Sequence, residues 1–241
     1  SVVINLAAQA GVRNVFLKPD LYFQSNISGF YNILELCKFR KIKYLFYAST
    51  SSVYGDNEIP FSESQYTDKP IQFYAASKKC NEIMAHSYYE MFNINSVGMR
   101  FFTVYGPWGR PDMSLYKFTK NILSNEKIEI FNKGNHKRDF TYVDDVVNGI
   151  YLLFSTKIKG HNIFNIGNSK QVHLMEIIKI LEKITDKKAK LKFLPMQRGD
   201  IFETKSNISK IKRIAGYRSS IDIKDGLYNF VKWYKEYHKV N

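Results

Sequence analysis

Three short runs of apolar residues constrain this chain more than any other feature: residues 2–7, Lys43–Ser49 and Ser96–Phe102. Each is too short for a buried helix and lacks the apolar–polar alternation of a half-exposed strand. Each therefore reads as a strand covered on both faces. Between them the periodicity changes to that of a helix. Over Asp20–Arg40, Phe23, Ile27, Phe30, Leu34 and Cys37 share one face, and Phe73–Phe92 reads as a second helix. Buried strands alternating with helices predict an α/β chain with a parallel sheet flanked by helices.

In such sheets ligands collect at the carboxyl ends of the strands. Ala7-Ala8, Thr50-Ser51 and Phe102-Thr103 each sit at such an end, so three strand ends are expected to face one crevice. After Gly106-Pro107 the elements shorten. A helix is predicted over Leu115–Leu123, strands over Ile128–Phe131 and Phe140–Val143, and a helix over Asp144–Phe154 with Asp144 as its N-cap. A strand at Phe164–Gly167, a helix at Leu174–Ile184 and a closing helix at Asp222–Tyr237 complete the series. Residues 1–103 are thus expected to form one domain. Residues 104–241 are expected to form mainly a smaller substrate-side lobe that returns some elements to the first.

The bulk properties narrow the function. The 241 residues carry a net charge of +14, but the lysines are scattered through Lys117–Lys137, Lys179–Lys192 and Lys205–Lys212 without an Arg-rich block. That pattern describes solvated faces, not a nucleic-acid site. No apolar run approaches the roughly 18 residues needed to cross a bilayer, and no basic leader precedes an apolar stretch. Neither nucleic acid nor membrane is expected as a partner. Cys37 and Cys80 fall in separate predicted helices, so no disulfide framework is expected and a reducing, cytoplasmic setting fits. His136 and His173 read as surface or loop histidines, and nothing near them has metal-ligand spacing, so no metal is expected. The chain opens without Met inside a strand, which reads as a fragment of a longer protein.

The chemistry concentrates in Tyr74-Ala75-Ala76-Ser77-Lys78, downstream of Thr50-Ser51-Ser52-Val53-Tyr54-Gly55. A Tyr and a Lys four residues apart share one helix face. An ammonium beside a phenol is expected to lower its pKa and make it a usable base. The spacing alone arises by chance in many helices. The hydroxyl cluster at the end of an apolar strand, ready to hold a substrate oxygen, favours a device that moves a proton on and off an alcohol.

These motifs stand in order with Asn5-Leu6-Ala7-Ala8, Arg100-Phe101-Phe102-Thr103-Val104-Tyr105-Gly106-Pro107 and Arg138-Asp139-Phe140. The series resembles the extended short-chain dehydrogenase/reductases, specifically the NAD-dependent nucleotide-sugar epimerases. The run Gly98–Met113 looks most like the UDP-glucuronate 4-epimerase group. The resemblance implies a Rossmann-like doubly wound parallel sheet whose first strands are missing. The family's Gly-rich pyrophosphate turn has no counterpart here, since the only early glycines are Gly11 and Gly29. The segment by itself is accordingly expected to hold NAD poorly and to be inactive.

The resemblance also assigns roles. Tyr74 would be the base at the sugar 4-hydroxyl, Lys78 its electrostatic partner and a ribose contact, and Thr50 (or its neighbour Ser51) the group at the reacting oxygen. Ala7, Ala8, Gln9, Asn26, Ser49 and Phe101 join Tyr74 and Lys78 as expected cofactor contacts. The UDP-sugar would meet Arg13, Ser51, Ser52, Thr103 and Arg110 at its sugar, and Ile130, Phe131, Arg138, Arg198 and Asp200 at its nucleotide. Related chains often carry arginine where this one has Gln197. Arg110 suits a substrate carboxylate through a bidentate clamp, the bland alternative being a loop arginine paired with Asp112. Sugar dehydratases carry Asp-Glu after the catalytic Thr, whereas Ser51 and Ser52 stand here. The implied activity is 4-epimerisation of UDP-glucuronate to UDP-galacturonate for cell-surface polysaccharide. Epimerisation of UDP-glucose or UDP-N-acetylglucosamine, decarboxylation of UDP-glucuronate and a catalytically silent binding module are the alternatives. A homodimer is left open.

Overall fold

The computed structural model describes residues 1–11, 14–196 and 201–240, the side chain of Asn14 apart. Its elements run β1 (Val2–Asn5), α1 (Pro19–Tyr22), α2 (Gly29–Phe39), β2 (Tyr44–Thr50), α3 (Phe73–Phe92) and β3 (Asn95–Phe101). Next come β4 (Thr103–Tyr105), α4 (Ser114–Leu123), β5 (Lys127–Phe131), β6 (Lys137–Tyr142), α5 (Val143–Ser155) and β7 (His161–Ile166). The chain closes with β8 (Gln171–His173), α6 (Leu174–Thr185), β9 (Lys190–Leu194), α7 (Ser209–Ala215) and α8 (Ile223–His238).

The three apolar runs become adjacent parallel strands, and β7 extends them into a sheet of order β1-β2-β3-β7. Successive side chains on β2 point to opposite faces. Leu45 and Tyr47 pack with Phe30, Leu34 and Cys37 of α2 and Ala85 of α3. Phe46 instead joins Val97, Met99 and Phe164 beneath Val146 and Leu153 of α5 and Ile211 of α7. Helices cover both faces, which is why these strands read as unbroken apolar runs. The fold is α/β, a Rossmann-like doubly wound sheet. At Gly98, in the middle of β3, a Cβ would stand 2.5 Å from Ile163 Cδ1 and 2.6 Å from the Tyr47 hydroxyl, so the sheet packs there only without a side chain.

Some expectations change. Strand β1 read as buried, but Val2 and Ile4 are 38% and 47% exposed, because among the described residues this end strand pairs only with β2. The helix expected over Asp20–Arg40 is interrupted by a π-helical turn, Phe23–Ser28. Val143 opens α5 and does not end a strand. Asp144 lies in the first turn of that helix, and Tyr142 occupies the cap position without a capping side chain. His136 lies in a loop as expected but is buried, at 5% exposed, whereas His173 caps α6 by accepting the Met175 N–H at 3.2 Å. Strands β4 and β8 are three residues each, too short to announce themselves, and β9 carries Lys190 and Lys192 among its apolar residues.

Two further sheets, β4-β6-β8 and β5-β9, surround a second core built from α4, α6 and α8. Asp139 on β6 ties the two regions together. Its carboxylate accepts from the backbone N–H of Asn168, Ser169 and Ser206 at 2.7, 2.9 and 2.9 Å. It also accepts from Ser206 Oγ at 2.6 Å and Thr141 Oγ1 at 3.2 Å. Removing that acceptor strands several buried donors, each costing about 1–3 kcal/mol. Asp139→Ala should lower the unfolding free energy by at least ~3 kcal/mol in a urea titration; a loss under ~1 kcal/mol would show that water replaces the carboxylate.

Candidate active site

Each side chain at the strand ends is placed by local structure. Thr50 ends β2 and caps the 3₁₀ turn Ser51–Tyr54, its Oγ1 accepting the Ser52 N–H and donating to Ser52 Oγ, both at 3.2 Å. Helix α3 brings in Tyr74 and Lys78 one turn apart on the face turned to the sheet. Together with Ala8 and Ala10 after β1 and Phe101 at the end of β3, these three line a cleft of about 200 Å³. The cleft sits at the carboxyl ends of the parallel strands, where such sheets bind ligands.

Burial dominates the electrostatics. It pushes the Tyr74 phenol above its ordinary value, against a hydrogen bond with Thr50 and the positive field of Arg110, which both act downward. The expectation that Lys78 depresses this phenol therefore does not hold in the protein alone. Burial also drives the Lys78 ammonium down to about 8, with the Glu82 charge partly opposing. Lys78 is 3% exposed, and Nζ donates to no partner among the described residues. An ammonium with donors to spare, facing a cleft lined by Ala8, Ala10 and Ala48, suits the hydroxyls of a dinucleotide ribose. The residues present thus fit the nicotinamide end of a dinucleotide cofactor.

The other expected residues divide. Ala8 and Phe101 line the cleft, while Ala7 is exposed. Asn26, in the π-helical turn, is 2% exposed and spent on structure. It accepts the Gln9 N–H at 2.8 Å, donates to Gln9 O at 3.0 Å and donates to Ser77 Oγ at 2.9 Å. Ser49 lines the cleft but commits its hydroxyl to Glu82 Oε1 at 2.7 Å. Ser51 and Ser52 are half-buried in the turn after Thr50.

Thr103 and Arg110 line a neighbouring hollow with Gly106 and Phe140. Arg110 pairs bidentately with Asp112, Nε to Oδ1 at 2.9 Å and Nη2 to Oδ2 at 2.6 Å, as its bland alternative foresaw. Its charge still reaches both Tyr74 and Tyr22. Gly11, with φ +101°, makes room for it, since a Cβ there would lie 3.2 Å from Arg110 Nη2. Ile130 is fully buried in the second core and offers no surface to a base, whereas Phe131 and Arg138 are half-buried at the end of β5 and on β6. Arg13, Arg198, Asp200 and the neighbouring Gln197 lie outside the described residues.

Two features escaped the sequence. Tyr22 packs edge-on to Tyr74, 6.2 Å between ring centroids, and donates to Gly11 O at 2.6 Å. Nothing local in the sequence marks it. Glu82 and Arg100 form a buried pair behind Lys78, and the Lys78–Glu82 spacing of one helical turn was the available signal.

The description "NAD dependent epimerase/dehydratase family" matches residues 1–167. The chain belongs to that family. Among curated relatives of this epimerase/dehydratase, UDP-glucuronate 4-epimerase 4 of Arabidopsis thaliana is 44% identical over 254 residues, covering 98% of this chain and 58% of its own. The solved UDP-glucuronic acid 4-epimerase of Bacillus cereus, in complex with UDP-glucuronic acid and NAD, superposes with a TM-score of 0.94 at 35% identity, covering 98% of this chain and 76% of that one. The UDP-glucose 4-epimerase of Thermotoga maritima, with UDP-glucose, gives 0.93 at 27% identity, covering 98% and 78%. Among the described residues of this family member no helix is long and apolar enough to cross a membrane, and no group of three metal-ligating side chains occurs.

The lysine shift has a testable sign. Below pH 8 Lys78 is charged in both folded and unfolded chains, and its burial cost is fully present. Between about 8 and 10.5 the folded chain has lost the proton that the unfolded chain keeps, so stability rises; above that both are neutral. Lys78→Met should therefore raise unfolding free energy at pH 7 by up to ~3 kcal/mol, with the gain fading towards pH 10.5. Urea titrations at both pH values check this, and a pH-independent difference would reject it.

Proposed function

We propose that this protein is an NAD-dependent 4-epimerase of UDP-sugars, acting on UDP-glucuronate to give UDP-galacturonate. The observation that carries the reading is the cleft in which Thr50, Tyr74 and the unpartnered Lys78 ammonium meet at three strand ends. NAD, when bound, supplies a reversible hydride acceptor at the sugar C4. Tyr74 takes the proton from the 4-hydroxyl and returns it after the 4-keto sugar has presented its other face. The hydroxyl of Thr50 lies within hydrogen-bonding reach of both Ser52 Oγ and the phenol oxygen, so it would be free to donate to the phenolate as charge develops. Lys78 holds the ribose and supplies the positive charge that the phenolate needs. Net redox is zero, so cofactor is regenerated and not consumed.

The carboxylate of the substrate would be recognised by Arg110 with Ser51, Ser52 and Thr103. Holding it matters because a 4-keto glucuronate is a β-keto acid, and fixing the carboxylate out of line with the carbonyl π system prevents loss of carbon dioxide. The nucleotide would extend over the second lobe towards Phe131 and Arg138, with residues 1–103 serving mainly the cofactor and residues 104–241 mainly the sugar nucleotide. The wider context would be supply of an acidic sugar for polysaccharide synthesis. One observation favours a second reading: Arg110 is already paired with Asp112, as it would be if the substrate were a neutral UDP-hexose.

Three measurements test these readings. Incubation with NAD and UDP-glucuronate should give UDP-galacturonate without carbon dioxide, while turnover of UDP-glucose alone would establish the second reading. Tyr74→Phe should lose turnover by at least ~10²-fold while UDP affinity stays nearly intact, and retained turnover would remove Tyr74 as the base. Arg110→Ala should raise the KM for UDP-glucuronate by roughly tenfold or more and leave that for UDP-glucose nearly unchanged; equal changes would defeat the carboxylate clamp.

A further inference from the structure

The inner face of α3 carries a charge pair that the chemistry above leaves unused. Glu82 lies one helical turn beyond Lys78, Arg100 sits on β3, and each is 3% exposed. The contact is bidentate, with Arg100 Nε donating to Glu82 Oε1 at 2.8 Å and Nη2 to Oε2 at 2.7 Å. Ser49, the residue before Thr50, donates to the same carboxylate. The guanidinium also lies over the Tyr54 ring, 4.7 Å from its centroid. Tyr54 closes the turn that Thr50 caps, and its hydroxyl is fixed on Asn165 Oδ1 at 2.7 Å. One ion pair thereby touches the helix bearing Tyr74 and Lys78, the strand end bearing Thr50 and the turn bearing Ser51 and Ser52.

Stability alone does not account for that placement. Taking two charges out of water is expensive, and an apolar pair of similar volume packs at least as well. An apolar pair lacks two properties. It has no directional bonds to set the spacing of helix and strand, and it puts no negative charge behind Lys78. Burial alone would raise the Glu82 carboxyl, but the hydrogen bonds and charge of Arg100, with the Ser49 bond, hold it below its ordinary value. It therefore stays ionised through the neutral range, and its charge is what opposes the fall of the Lys78 ammonium. The other ionisable groups facing it are Lys79 on its own helix at 3.8 Å, Tyr47 from β2 and His161 from β7.

We propose that Glu82 and Arg100 are positioning residues for the proton-transfer pair, locking α3 onto β3 and, through Ser49, onto β2 so that Tyr74 faces Thr50, and keeping a negative charge one turn behind Lys78. This rests on the roles of Tyr74 and Lys78 given under the proposed function. The test is the pH dependence of kcat and KM, with saturating NAD and whichever UDP-sugar the wild type turns over, for Glu82→Gln, Glu82→Asp and the double variant Glu82→Gln/Arg100→Met. The double variant leaves no guanidinium stranded by the loss of Glu82, so it folds where Glu82→Gln alone fails to, and circular dichroism verifies it. In Glu82→Gln and in the double variant, kcat should fall roughly ten- to hundredfold with KM little changed. Their alkaline limb should move to lower pH, because Lys78 loses the charge that keeps it protonated. Glu82→Asp keeps that charge but is one methylene short, so it should lose kcat without moving the limb. Wild-type kcat and an unmoved profile in the folded double variant would overturn the proposal. Retained turnover in Tyr74→Phe, run alongside, would overturn the acid–base reading itself and the proposal with it.

Discussion

The parallel pairing of β2 with β3 is the constraint on which the site depends. Its register sets Ser49 beside Arg100 and Thr50 beside Phe101. Neighbouring residues of a strand point to opposite faces. One residue of β2 therefore meets the ion pair under α3 while the next meets the cleft. A slip of one residue would exchange them and turn the Thr50 hydroxyl away from the cleft. The register is secured on both sides of the sheet, by Tyr47 against α2 and α3 and by Phe46 against α5 and α7. Placing a hydroxyl and a phenol within hydrogen-bonding reach thus follows from packing many residues away.

The same burial that fixes geometry makes the site electrostatically uncomfortable. Tyr74 is harder to ionise than a free phenol, and Lys78 is easier to deprotonate than a free lysine. Both shifts oppose an ammonium–phenolate pair in the protein alone. They are what a site looks like when its stabilising partner is a ligand that brings positive charge and hydroxyl acceptors into the cleft. The ion pair behind Lys78 is the fold's own contribution against that drift. Removing one member of such a pair commonly costs about 3–5 kcal/mol, so its presence beneath the site links stability to chemistry.

What could be read in the sequence was whatever has a period. Helix α3 runs over Phe73–Phe92 as expected, and the buried runs became the central strands because covering both faces leaves an unbroken apolar signature. Thr50, Tyr74 and Lys78 were legible together because two of them repeat at one helical turn and the third ends a strand. Side-chain direction was not legible. Ser49 and Asn26 have the right chemistry for a cofactor but spend it on Glu82 and Gln9, a choice set by strand parity and by a π-helical turn that no local pattern announced. Ile130 shows the same failure in reverse, since an apolar residue expected to face a base is fully enclosed by its own core. Tyr22 was invisible because its contact with Tyr74 depends on how two helices meet across the sheet end.

In the proposed reading, Arg110 is where competing interactions decide specificity. Its pair with Asp112 is half exposed and spans two residues of one loop, the kind of contact worth little in water. A substrate carboxylate arriving with its nucleotide already anchored meets Arg110 at high effective concentration, and an exposed Asp112 can turn to solvent at small cost. A neutral sugar offers Arg110 no better acceptor than the one it has. The same loop can therefore stay closed on itself before a hexose and open for a hexuronate. Arg110 is held where this exchange matters, against Gly11 after β1 and within electrostatic reach of Tyr74, because a glycine at φ +101° leaves room for the guanidinium. A weak internal ion pair beside a strong buried one divides the labour. In the proposed mechanism the buried pair sets the geometry of proton transfer, and the exposed one is loose enough to be traded for a substrate.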